Sequence, residues 1–364
     1  MPYPAVDPAA LTAFPIAERK NYLRIEDIAV RPDRISAPEP QCVPDHLIDS
    51  MRKAKTANAS RMMTYGAHLI KNGAGPLVNA LVERGFLTHI ATQGAGVIHD
   101  WEFAFQGESS ESVRDNAPVG RFGTWDETGR WINLAIVAGA ADGMGIGESV
   151  GRFIEEDGIT LPDPEALTQR IIENPDAIET PAIADLVVYM RKHSLAGGRI
   201  DVAHPYKQYS VLACAYRNQV PLTIHPGIGY DIINTHPMYL GAAIGRAAAI
   251  DYYIFCQSIL ELSGGIYWSV GSAIMSPQVF EKAFSCANNL LIESGQQVTD
   301  FDIAIVDLQD GGDWDWRTGE PPMDHPAYYL RFCKSFYRMG GRVSYLCADN
   351  RDVLLDLSSR LNKH

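Results

Sequence analysis

The sequence lacks the marks of several protein classes. Its six cysteines (Cys42, Cys214, Cys256, Cys286, Cys333, Cys347) form no Cys-x-x-Cys and no Cys/His cluster at zinc spacing, so no metal site is expected. They are expected to be reduced core thiols of a cytoplasmic protein. No apolar run reaches membrane-spanning length, because the longest, Ala242 to Leu262, is broken by Arg246, Asp251, Gln257 and Glu261. The N-terminus has no basic stretch followed by an apolar one, which argues against a signal peptide. Positive charge is also short: 31 Lys and Arg stand against 44 Asp and Glu, a net charge of -13. An acidic surface repels nucleic acid and anionic membranes and mildly favours cationic partners.

What remains is ordinary globular material, 364 residues with 46% hydrophobic and 21% charged, enough for a large core. Seven prolines (Pro2, Pro4, Pro8, Pro15, Pro32, Pro38, Pro40) mark residues 1–44 as an extended arm that wraps its own domain or a neighbour. Beyond it, short apolar runs alternate with amphipathic stretches: Met62 to Tyr65, Phe86 to Ala91, Pro221 to His225, Gly265 to Val270, Phe301 to Asp307 and Arg342 to Cys347. Six strands separated by helices predict an α/β protein of three layers, a mostly parallel six-stranded sheet covered by helices on both faces. No linker rich in Gly, Ser or Pro divides residues 45–364, so a single domain is expected.

The stretch Phe86 to Glu102 reads as a strand, a turn through Gly94-Ala95-Gly96, and a helix opening near Val97. Small residues before a helix start let backbone N–H groups approach a phosphate. Ligands of open parallel sheets lie at the carboxyl ends of the strands. Here those ends carry Ala67 and His68; Thr92, Gln93, Gly94 and Ala95; Asp231; Gly271 and Ser272; Asp310 and Asp313; and Ala348 and Asp349. Each alone is also a common cap or turn residue, and the recurrence at six ends is what indicates a site.

The segment Gly66 to Gly73, the Ala-Gly before a helix, Ile228-Gly229-Tyr230-Asp231-Ile232-Ile233, and Ala348-Asp349 resemble deoxyhypusine synthase, and more closely the bacterial deoxyhypusine-synthase-like proteins. The resemblance covers roughly residues 45 to 360. It implies a three-layer Rossmann-like NAD-binding fold, usually a homotetramer, in which NAD takes a hydride from spermidine or a related polyamine and an aminobutyl group passes through a lysine imine to an acceptor amine. It also implies that Ala67, His68, Thr92, Gln93, Gly94, Ala95, Gly271, Asp310, Ala348 and Asp349 hold NAD and that Asp231 and Asp313 hold the amine. Carboxylates suit a diammonium chain, since charge-assisted hydrogen bonds are strong when partly buried.

Departures from the pattern shift the catalytic assignment. No Trp-Gly-Lys follows the acidic loop, and Lys334, the only lysine between Asp310 and Asn362, sits in Arg331-Phe332-Cys333-Lys334 instead. Arg331 and Arg338 are neighbours able to lower its pKa; the other reading is an exposed helix residue. The family's histidine position reads Ile274-Met275-Ser276, and its glutamates after the opening turn are replaced by Ile98 and His99. His99 is thus a candidate base, or else a solvated histidine at a helix start. The alternative function is a non-catalytic NAD- or polyamine-binding homo-oligomer that has lost the covalent lysine chemistry.

Overall fold

The computed structural model describes residues 3–32 and 40–362. The expectations at Pro2 and Pro38 lie outside them. Six strands form one sheet, β1 (Arg61–Tyr65), β2 (His89–Thr92), β3 (Leu222–Ile224), β4 (Ile266–Val270), β5 (Asp302–Asp307) and β6 (Arg342–Cys347). Every pairing is parallel, and the spatial order is β6-β5-β4-β1-β2-β3. The chain therefore runs outward from β1 to one edge, returns to the centre, and runs outward to the other. This is the doubly wound order of the Rossmann fold, whose ligand crevice opens where the direction reverses, between β1 and β4.

Alternation along the strands builds the three layers. Met63, Tyr65, Ile266, Trp268, Val270, Ala304 and Val306 enter one core, while Met62, Tyr267, Ile303 and Ile305 enter the other. All residues of β1 and β4 are buried, as expected of central strands covered by helices on both faces.

The helices that pack on the sheet or edge its crevice include α1 (Asp45–Thr56), α2 (His68–Lys71), α3 (Gly94–Gln106), α4 (Ile146–Glu155), α5 (Gly241–Leu260) and α6 (Asn350–Leu361). At the edge strand β3, the Ile224 N–H is not left open. It donates to the buried Asp251 carboxylate of α5 at 2.9 Å, which also accepts from Ile146 at 2.9 Å and Gly147 at 3.3 Å. One side chain thus satisfies a sheet edge and caps α4.

Several local expectations are corrected. Gly94, Ala95 and Gly96 are the first turn of α3 rather than a turn before it. The helix expected over Trp131 to Ile154 is two, Asp126–Ala141 and α4, broken where Gly143 takes φ +79. The N-terminal segment is not uniformly extended. Leu23–Arg24 pairs antiparallel with Glu108–Ser109, a one-turn helix follows at Ile25–Ile28, and Ile16, Arg19 and Ile25 are buried. The cysteines are free, but only Cys214, Cys256 and Cys333 are buried, and Cys347 is exposed. Among the described residues, no helix is long and apolar enough to cross a membrane.

Candidate functional site

The crevice between β1 and β4 is built from backbone. Gly66 donates its N–H to Val270 at 3.0 Å and Gly271 donates to Val306 at 2.8 Å. A Cβ on Gly66 would stand 2.1 Å from the Gly271 carbonyl oxygen, so the two strand ends touch as no larger residue allows. Gly271 itself takes φ +59, and the space where its Cβ would point holds only the Asn350 amide at 3.7 Å. Beyond it lies a cavity of about 200 Å³ lined by His68, Gly271, Asp307, Leu308, Ala348, Asp349 and Asn350. Four of the expected cofactor residues, His68, Gly271, Ala348 and Asp349, are therefore brought together.

A second cavity, of about 230 Å³, lies over the ends of β1, β2 and β3. The two share α2: His68 lines the first and Lys71 the second. Successive turns of α3 present Ala95, Ile98, His99 and Glu102 to the second cavity, opposite Tyr230, Asp231 and Ile232. The N-terminal segment adds Arg19, and the loop after α3 adds Ser110, which is held at φ +73, a conformation unusual for serine.

The polar groups of this cavity form a chain. Both terminal nitrogens of Arg19 donate to the two Glu102 oxygens at 2.7 Å, with both side chains 1% exposed. Glu102 also accepts from Thr128 at 2.9 Å and from the Ser109 hydroxyl at 2.5 Å. Ser109 Oγ in turn lies 2.8 Å from His99 Nδ1. Burial opposes the Glu102 charge, but Arg19, His99 and Ser109 outweigh it and hold the carboxyl below its ordinary range. Burial pushes His99 down to about 4, against the pull of Glu102 and with Lys71 and Arg19 adding to the fall. His99 is therefore neutral at physiological pH. Asp231 is pushed up to about 6 by burial, with the Gly227 N–H partly countering. Among the described residues, Lys71 has no carboxylate within 4.0 Å.

Other expected residues are used internally or stand apart. Thr92 is fully buried and donates its hydroxyl to the Tyr65 carbonyl at 2.8 Å, and Gly96 packs against it. Gln93 precedes α3 without a capping side-chain bond, and Ala67 precedes α2 in the same way. Gly94 is small for a reason other than phosphate, since its Cβ would sit 2.2 Å from the Asp231 carboxylate. The start of α3 faces that carboxylate, so the phosphate cradle expected there is corrected. Asp310 accepts from the Gly312 N–H in an exposed turn, and Asp313 is exposed 3.8 Å from His325. Neither lines either cavity, so the expected pairing of Asp313 with Asp231 does not occur. Lys334 lies on the short helix Arg331–Tyr337, its Nζ 3.5 Å from the centroid of the Tyr328 ring. It too is outside both cavities. Among the described residues, no group of three or more His, Cys, Asp or Glu is placed to hold a metal ion.

No family model matches the chain, and no curated protein matches it. Among solved structures it is similar to a conserved LOR/SDH protein from Methanococcus maripaludis S2, at 12% identity and a TM-score of 0.41, over 91% of this chain and 74% of that one. It is also similar to AgrE, solved unliganded and as a ternary complex with ornithine and NAD+, at 12% identity and TM-scores of 0.41 and 0.40. ArgZ, an arginine dihydrolase of the ornithine-ammonia cycle in cyanobacteria, is similar at 13% identity and a TM-score of 0.40. The alignments with AgrE and ArgZ cover 87% of this chain and 32% of those, so the chain spans about a third of their length. The expected membership of the deoxyhypusine synthase family is corrected: no family model matches the chain, and the solved structures it is similar to are LOR/SDH, AgrE and ArgZ proteins. Aminobutyl transfer from spermidine, polyamine recognition and the lysine imine assigned to Lys334 fall with it.

Proposed function

We propose that the protein is an NAD-linked enzyme that acts on the amine-bearing carbon of a small amino acid. The observation that carries this reading is one cavity in which a neutral imidazole (His99), a carboxylate (Asp231) and an ammonium (Lys71) face the same space, beside the crevice of a doubly wound sheet. An α-amino acid presents an ammonium and a carboxylate on one carbon. Asp231, once ionised, complements the first and Lys71 the second, while Ile98, Val113 and Phe122 offer apolar wall to the side chain. His99 Nε2 then takes a proton from the substrate amine as general base.

The residues of the crevice fit a nucleoside half of NAD. Gly271 leaves open backbone, and Asp307 and Asp349 supply carboxylates of the kind that accept from ribose hydroxyls. Bound there, NAD supplies a two-electron acceptor for hydride. The pyrophosphate is not assigned to the start of α3, where Asp231 would repel it.

The test is calorimetric titration with NAD, followed by assay of the holoenzyme against a panel of amino acids, ornithine and arginine included, for the absorbance of reduced cofactor. Binding of NAD with turnover of at least one of them is expected. Absence of NAD binding, or binding with no reduced cofactor from any of them, removes the reading.

A further inference from the structure

The chain of contacts behind His99 has only one consistent arrangement of protons. Glu102 is ionised and pinned by Arg19, so it only accepts, and the single hydroxyl proton of Ser109 goes to it. Ser109 Oγ is then free only to accept from the imidazole, which fixes the proton of neutral His99 on Nδ1. The other nitrogen, Nε2, is left with its lone pair on a ring that lines the cavity.

From this geometry we infer that Ser109 and Glu102 are positioning residues that hold His99 in the Nδ1–H tautomer, and that the N-terminal segment assembles the device. Two contacts tie that segment in. Arg19 neutralises Glu102 in a buried bidentate pair, the strongest geometry for such a contact. Four residues on, Leu23 pairs with Ser109 and Arg24 with Glu108 in an antiparallel ribbon, which sets the backbone from which Ser109 points. Tyr22 donates its N–H to the Ser110 carbonyl at 3.0 Å and extends the tie. The tautomer matters because a base must present a lone pair, and a hydrogen bond at the far nitrogen decides which one it presents.

The role of His99 as base rests on the proposed function, but its tautomer can be read without cofactor or substrate. Nitrogen-15 correlation spectra of the full-length protein, with the His99 signals assigned by loss in His99→Gln, are expected to show a pyrrole-like Nδ1 and a pyridine-like Nε2. Ser109→Ala should shift the ring toward Nε2–H, and Ser109→Thr should restore the wild-type pattern. In an active holoenzyme, Ser109→Ala should lower kcat by roughly 10- to 100-fold with KM little changed, the usual cost of removing an orienting partner. A wild-type ring protonated on Nε2, or a tautomer unmoved by Ser109→Ala, overturns the inference even where NAD binds. Where Ser109→Ala does not fold, the wild-type spectrum alone decides.

Discussion

Asp231 and His99 face one cavity with their proton affinities moved in opposite directions, and both shifts come from burial. The sign of each follows from which form burial disfavours. A carboxyl raised from 3.8 to about 6 favours its protonated form in the folded chain, so its contribution to stability is present below 3.8 and lost as pH rises through 6. An imidazole lowered from 6.5 to about 4 contributes above 6.5 and loses that contribution as pH falls toward 4. For activity the two demands differ. His99 is already neutral above about 4, so the acid limb of kcat/KM should belong to Asp231 and bend near 6. Asp231→Asn is expected to abolish that limb along with most substrate affinity. His99→Gln should cost on the order of 10² to 10⁴ in kcat. A pH profile that bends near 4, or a limb that survives Asp231→Asn, would show that the groups are misassigned.

At the level of elements, the contact between the ends of β1 and β4 makes the strictest demand on sequence. Gly66→Ala sets a methyl 2.1 Å from a backbone oxygen that cannot rotate away. The substitution should destabilise by roughly 1–3 kcal/mol, the usual cost of overpacking, and weaken NAD binding by prising the crevice open. Gly245→Ala is the control. It sits in α5 with nothing within 4 Å of the new methyl, and should be neutral or stabilise by up to about 1 kcal/mol. Thermal denaturation of the two variants, with NAD titration of each, distinguishes a local packing effect from a general intolerance of alanine.

The central strands were legible in the sequence because each is a short apolar run buried on both faces, and β6 was placed to the residue. The small ribbons were not. Gly158–Leu161 and Gly198–Asp201 pair antiparallel, yet Gly-Arg-Ile-Asp carries no apolar run to announce a strand. Gly94 and Gly96 misled in a different way. Glycine ordinarily ends a helix, but here small size is required inside its first turn by Asp231 and Thr92. Of the site, His99 was visible as a departure from a family pattern. Its supports were not, because Arg19 lies 83 residues from Glu102 and Ser109 is one serine among several in a polar stretch. The spacing of Ala95, Ile98, His99 and Glu102 was the available signal, since it places all four on one side of a helix.

On the scale of the whole molecule, a ligand held across the centre of the sheet should register in global stability. At a free NAD concentration one hundred times the dissociation constant, linkage adds about 2.7 kcal/mol. For a chain of this length that corresponds to a rise of roughly 3 °C in melting temperature. A scan with excess NAD that leaves the transition unmoved would contradict the placement of cofactor in the crevice. Gly66→Ala should lose this increment in addition to its own deficit.

The Asp251 side chain has a meaning beyond the packing of one sheet edge. An edge strand with bare N–H groups is a template on which any extended peptide can add itself. With the Ile224 N–H taken by Asp251 and the Leu222 carbonyl covered by the close approach of Gly147, the β3 margin offers an incoming chain little to grip. A carboxyl group buried inside the protein, pushed up to about 8 by that burial, thus closes one border of the sheet to recruitment by its neighbours during synthesis and storage.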